Sequence, residues 1–224
     1  MTATIPRAPT SPDQRTAGKV AAVASALFGG TLVLTTMSVN VPWKAGDKEV
    51  LDWWQQSANL NSGIVSQLFA ISAAVLFVVV INYVRVLAAD TGMTQWSAFA
   101  HSMATAFCAT LLVTSALRGV IGQMVQYYDE PLPSLDVLRY STALNYTLLG
   151  TATMMAMALT MVAVSVIVLR TRLLPTWLGY VGLLCAAVII GVVAIGLGGL
   201  AIPAALLWSL CLAAALWRHT TSTS

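Results

Sequence analysis

Apolar residues run along this chain in six long blocks, at residues 20–41, 63–86, 96–123, 141–169, 176–197 and 200–217, with polar positions collected between them. A helix needs roughly 17–25 apolar residues to cross a ~30 Å hydrocarbon layer, and each block meets that length. The pattern therefore predicts six membrane-spanning helices. Only Gly196, Gly198 and Gly199 separate the last two blocks, which predicts a tight antiparallel hairpin. Residues 1–16 (MTATIPRAPTSPDQRT) lack periodicity and read as a flexible tail, residues 17–218 as one domain, and residues 219–224 as a short second tail. The first block is longer than the 7–15-residue core of a signal peptide and has no A-x-A site after it, so it reads as a retained span. In the loop at 44–62, Trp53-Trp54-Gln55-Gln56 beside Leu51 and Leu60 predicts a short amphipathic helix. That helix is expected on the membrane surface with its tryptophans at headgroup level, or docked on a partner protein.

Composition turns the pattern into a class. The chain is 58% hydrophobic and 8% charged, against roughly 25% charged residues in soluble domains. That leaves too little polar surface to face water, and the reading is an all-α, polytopic membrane protein. The net charge of +3 shows no dense Lys/Arg face, so nucleic acid is not an expected partner. The charges are instead sorted by position. With the N-terminus inside, seven cations (Arg7, Arg15, Lys19, Arg85, Arg170, Arg172, Arg218) share the cytoplasmic side, against four (Lys44, Lys48, Arg118, Arg139) opposite. The positive-inside rule then gives N-in, C-in topology.

The stretch RTRLLPTWLGYVG at 170–182 interrupts two apolar blocks. Arg170 and Arg172 hold the cytoplasmic end of the fourth span, Pro175 opens the fifth, and Trp177 anchors at the interface. Small residues recur every four positions at Ala21, Ser25 and Gly29, at Ala98, Ser102, Ala106 and Thr110, and at Ala201, Ala205, Ser209 and Ala213. Such stripes let helices approach closely, within one chain or between chains. Cys108, Cys185 and Cys211 lie in apolar blocks without CxxC spacing and read as small core hydrophobes.

Candidate chemistry is sparse. No Asp or Glu falls in the predicted membrane core, and no nucleophile or zinc-protease motif occurs. His101 and His219 could in principle ligate haem, and Met154, Met157 and Met161 share a face that could suit Cu(I). The ordinary readings, interfacial histidines and core methionines, are preferred, and no cofactor is expected. The best candidate site is a polar cluster at the outer ends of the helices. Arg118, Gln123, Asn145, Tyr146, Gln67 and Asn40 could line a vestibule for a lipid headgroup or small polar ligand. The competing reading is that Arg118 snorkels outward and pairs with Asp129, Glu130 or Asp136. On balance the sequence favours a non-catalytic accessory subunit of the cell membrane, packing with other membrane proteins or its own copies among membrane lipids. A lipid or small-molecule binder at Arg118 is the second reading.

Three stretches carry a likeness to a family: LDWWQQSANLNSGIVSQLFAIS before the second span, ALRGVIG late in the third, and VLRTRLLPTWLGYVGLL after the fourth. Together they resemble an uncharacterised bacterial six-helix membrane family of similar length. The resemblance implies a six-helix fold and no activity.

Two arginines at a helix end oppose drawing the turn into lipid, where each costs about 2.5–3.5 kcal/mol on the insertion scale. Replacing both Arg170 and Arg172 with alanine is expected to lower yield or scramble the last three spans, while lysine at both is tolerated. Cysteine-accessibility mapping of the two double variants reads the outcome; failure of the lysine pair to insert would contradict a purely topological role.

Overall fold

The computed structural model describes residues 12–42 and 45–221, and every regular element among them is helical. Residues 1–11 of the expected first tail, residues 222–224 of the second, and Arg7 and Lys44 lie outside the described residues. In hydrocarbon the backbone has no water to bond, so each apolar block closes its hydrogen bonds within itself as a helix. The elements are α1 (Pro12–Met37), α2 (Asp47–Gln55), α3 (Ser57–Ala88), α4 (Thr94–Tyr127), α5 (Leu135–Thr147), α6 (Met154–Thr171), α7 (Thr176–Ala194) and α8 (Ile202–Thr221). A π-helical segment, Leu148–Thr153, joins α5 and α6 into one span, and among the described residues six spans are long and apolar enough to cross a membrane. Residues 12–16, expected in the tail, are helical, and α1 ends four residues before the predicted boundary at 41.

Around the bundle the neighbours run α1, α3, α4, α6, α7, α8 and back to α1. At one rim of this ring Gly18 of α1 meets Tyr83 of α3 and Thr220 of α8, so both described chain ends share that rim. The ring interior is filled. Phe28, Phe77 and Phe107 pack against one another with centroids 4.7, 5.8 and 4.8 Å apart, and fully buried Met154, Met157, Met161 and Trp208 join the same cluster. The small stripes of α1 and α8 are used within the chain: Ser25 Oγ donates to the Ser209 carbonyl at 2.8 Å, and a Cβ on Gly29 would meet Leu206 at 2.9 Å. The α4 stripe is not consumed in this way, since Ala98 and Ser102 are exposed.

The helix in the first long loop exists, but it does not lie flat with both tryptophans outward. Val50 and Trp54 are buried in a second apolar cluster with Val39, Val41, Leu60, Ile121 and Leu138. That cluster caps the rim opposite the chain ends. The ends of α1, α3, α4 and α5 give α2 a protein surface on which to bury its apolar side, in preference to the membrane interface.

The spans are unequal. Leu135–Thr171 has 37 residues and α7 has 19, about 55 Å against about 28 Å at 1.5 Å per residue. The α7–α8 connection therefore stops partway along the long helix, against the π segment. Gly196 (φ 76°) closes α7: its N–H bonds the Val193 carbonyl at 3.0 Å, and that of Leu197 bonds Val192 at 2.8 Å. This paired motif satisfies helix-end carbonyls without side chains or water. At the other end of α7, Pro175 is the N-cap instead of the first helical residue, and Arg172 (φ 55°) terminates α6.

At the tip, a Cβ on Gly198 would fall inside the carbonyl group of Gly150, whereas one on Gly199 would meet nothing within 4 Å. Gly198→Ala is thus expected to destabilise the fold by about 1–3 kcal/mol through overpacking, and Gly199→Ala to be nearly neutral. Thermal unfolding of both variants in detergent compares them directly, and equal melting would contradict the close Gly150–Gly198 approach.

Candidate functional site

The chain leaves α1 at Met37, and Pro42, which has no N–H to donate, follows shortly after. The last carbonyls of a helix have no partner in the helix and carry the negative end of its dipole. At α1 the Leu34 carbonyl is taken by the Ser38 N–H at 3.0 Å, and the next, Thr35, points to neighbouring helices. Thr35 accepts from Arg118 Nη1 of α4 and, at 2.8 Å, from Ser66 Oγ of α3. A helix end inside the bundle thereby acquires a cation.

Arg118 is only 6% exposed. Its Nε donates to Asn145 Oδ1 of α5 at 2.8 Å, and Nη1 also reaches Ser66 Oγ at 3.3 Å. Asn145 Nδ2 donates to the Thr114 carbonyl at 2.8 Å, which orients the amide so that its oxygen faces the guanidinium. One side chain therefore ties α1, α3, α4 and α5 together. The α3–α4 contact behind it is close, for a Cβ on Gly63 would sit 2.6 Å from the Arg118 carbonyl.

The expected pairing of Arg118 with Asp129, Glu130 or Asp136 does not occur; all three acids are exposed. Asp129 lies about 16 Å further along the helix direction, beyond the reach of an arginine, and the Thr35 carbonyl offers a nearer acceptor. Among the described residues the salt bridge at this rim is Arg139–Asp47, 2.7 Å, on the surface. The Arg118 charge thus meets carbonyl, amide and hydroxyl dipoles in place of a carboxylate.

Beside it is a cavity of about 20 Å³. Arg118, Asn145 and Tyr146 of the expected vestibule line it, together with Leu117, Ser141 and Thr142; Val39, Val41 and Trp54 complete the wall. A water needs about 10–15 Å³ on this measure, so the space admits one small group. Nη2 of Arg118 makes none of the bonds above, and Trp54 Nε1 is buried with no acceptor among the described residues. Gln67 and Gln123 are brought together elsewhere, bonded to each other at 2.9 Å, and Asn40 is exposed. None of those three lines the cavity. Thr35 and Ser66 were not legible from sequence: Thr35 acts through its backbone, and Ser66 is one of several serines in apolar spans.

The other candidates lie apart from this site. Met154, Met157 and Met161 are fully enclosed in the main core, and half-buried His101 and His219 stand on α4 and α8, which are not neighbours in the ring. Cys108 Sγ approaches the Ala74 carbonyl at 3.6 Å, and Cys185 is buried and Cys211 half-buried.

Asn145→Leu keeps the side-chain size but leaves Arg118 Nε without its acceptor. A loss of about 1–3 kcal/mol in stability is expected, measurable by reversible unfolding in mixed micelles, with Gln123→Leu at the half-buried pair costing less. A smaller loss for Asn145→Leu than for Gln123→Leu would contradict the central place of Arg118.

No family model matches the chain, no curated protein matches it and no solved structure matches it, so what these findings leave standing is a helical bundle with six apolar helices compatible with a multi-pass membrane protein.

Proposed function

We propose that the protein is a non-catalytic, multi-pass membrane protein that binds a ligand through an anionic or strongly accepting group in the cavity at Arg118. One observation carries this reading: a guanidinium 94% withdrawn from solvent, without a carboxylate partner among the described residues, with Nη2 outside its internal bonds and beside a cavity. A buried charge is costly unless paired, and an incoming acceptor completes the pairing. With N-in, C-in topology, supported by the seven-to-four split of cations, the cavity lies in the outer half of the membrane. The resemblance of ALRGVIG and LLPTWLGYVG to a bacterial family supports a bacterial plasma-membrane location.

The accessory-subunit reading, first in order from the sequence, is favoured by a separate observation. On its exposed side α4 presents Ala98, Ser102, Thr105, Ala109 and Ala116 among Phe99, Leu112, Val113 and Val120, and small residues at this spacing let a second helix approach closely in lipid. Native mass spectrometry of wild type and Arg118→Ala from gentle detergent tests both readings. Retained non-protein mass in wild type that is lost in the variant is the expected result. Identical retained masses in the two would remove the binding reading, and a stoichiometric protein partner in both would favour the subunit.

A further inference from the structure

The cavity can be approached from two directions, and they differ in chemistry. Towards the rim of the bundle, Val39, Val41 and Trp54 form its wall, and these three belong to the apolar cluster that α2 completes with Val50 and Leu138. A solute arriving from water along the bundle axis would have to part that cluster.

Sideways the situation is different. No residue of α7 or α8 lines the cavity. Their connection meets the long helix at Gly150, five residues, or about 7 Å, short of Asn145. Above that contact, between the end of α1 and α5, the ring lacks the two helices that close it below. The connection itself is apolar: residues 191–207 contain no charged or hydroxyl side chain, and Ile195, Leu197 and Leu200 are exposed by 69, 50 and 62%. Its turn takes up the N–H groups of Ile195, Gly196, Leu197 and Leu200 within the connection itself, which reduces the polar backbone it would present to acyl chains. Depth agrees with this. The Arg118 backbone lies about 36 Å along α4 from Thr94, and its side chain turns back towards Ser66 and Asn145, so the guanidinium is about one ~30 Å hydrocarbon thickness from the start of α4, at the depth where phosphate groups begin.

We infer that the group received by Arg118 is a phosphate oxygen of an anionic glycerophospholipid, which enters sideways from the bilayer over the α7–α8 connection. This rests on the reading of the cavity as a ligand site. The cavity admits an oxygen and not a whole headgroup, so one non-bridging oxygen inserts and accepts from Arg118 Nη2. The glycerol stays at the mouth beside Ser141 and Tyr146, and the acyl chains descend along Leu197 and Leu200.

The full-length protein, stripped of lipid in detergent, is titrated with dioleoyl phosphatidylglycerol, with dioleoylglycerol lacking the phosphate, and with glycerol 3-phosphate lacking the chains. Retention is read by native mass spectrometry. Phosphatidylglycerol should bind and neither fragment should compete. Arg118→Gln should weaken binding by about tenfold or more, the loss expected for one charge-assisted hydrogen bond. Because that variant also disturbs four helices, Ser141→Leu is the second probe: it fills the cavity mouth, leaves every Arg118 bond in place, and should weaken binding equally with unchanged melting. Competition by glycerol 3-phosphate would overturn lateral lipid entry while leaving an anion site at Arg118. Equal binding of phosphatidylglycerol to wild type and Ser141→Leu would also overturn it. Binding of none of the three probes would overturn both the lipid and the anion reading.

Discussion

A guanidinium bonded to the end of a helix holds this structure's polar rim together. α1 stops inside the bundle, and the Thr35 carbonyl needs a donor where little water reaches. Arg118 needs acceptors where no carboxylate is present among the described residues. Each requirement answers the other, with Ser66 and Asn145 completing the set. Even at a helix centre an arginine costs ~2.5–3.5 kcal/mol on the translocon scale, an upper bound for Arg118 near the outer boundary, and charge-assisted bonds at ~1.5–3 kcal/mol each are sufficient to offset it. The negative end of the α1 dipole adds to the same balance. The arrangement leaves Nη2 outside these bonds, on a residue that lines the cavity.

Helix length decides which elements surround that residue. α3, α4 and the α5–α6 span project well past the α7–α8 hairpin, so the ring is complete over the apolar core and incomplete at the level of Arg118. The hairpin is fixed at that height by the backbone contact of Gly198 with Gly150. Gly150 lies in the π segment, where wider turns loosen the regular helical ladder and Thr153 Oγ1 donates back to the Leu148 carbonyl at 3.1 Å. The bundle thus has an interior packed with aromatic and methionine side chains, and a polar cavity at Arg118 set to one side of its capped rim.

The cap itself reflects a competition between two solvents for tryptophan. At the interface an indole gains a wet N–H and an apolar ring contact, which is the usual reason for aromatic belts. Trp54 instead packs on Val39, Val41 and Leu138, with no acceptor for Nε1 among the described residues. Apolar burial against protein carries α2 onto the rim, and Trp53 remains half-buried at its edge.

The six spans were legible in the sequence because hydrocarbon permits only helices, and a block of apolar residues long enough to cross it can form little else. The small-residue stripes were equally legible as contact surfaces, and so was the concentration of polar side chains near Arg118. What they would contact was not: the stripes of α1 and α8 meet each other, while that of α4 has Ala98 and Ser102 exposed and Ala106 against the core, and spacing alone is the same in both cases. Periodicity could not reveal the π segment, since one wide turn within a uniformly apolar helix leaves no break in the pattern. Nor could it divide the polar cluster into Arg118, Asn145 and Tyr146 around a cavity, Gln67 bonded to Gln123, and Asn40 exposed. The partner of Arg118 was decided by tertiary structure alone, because its main acceptor is a backbone carbonyl freed where α1 ends. Such an acceptor has no residue type to read, and only the meeting of four helices brings it to the guanidinium.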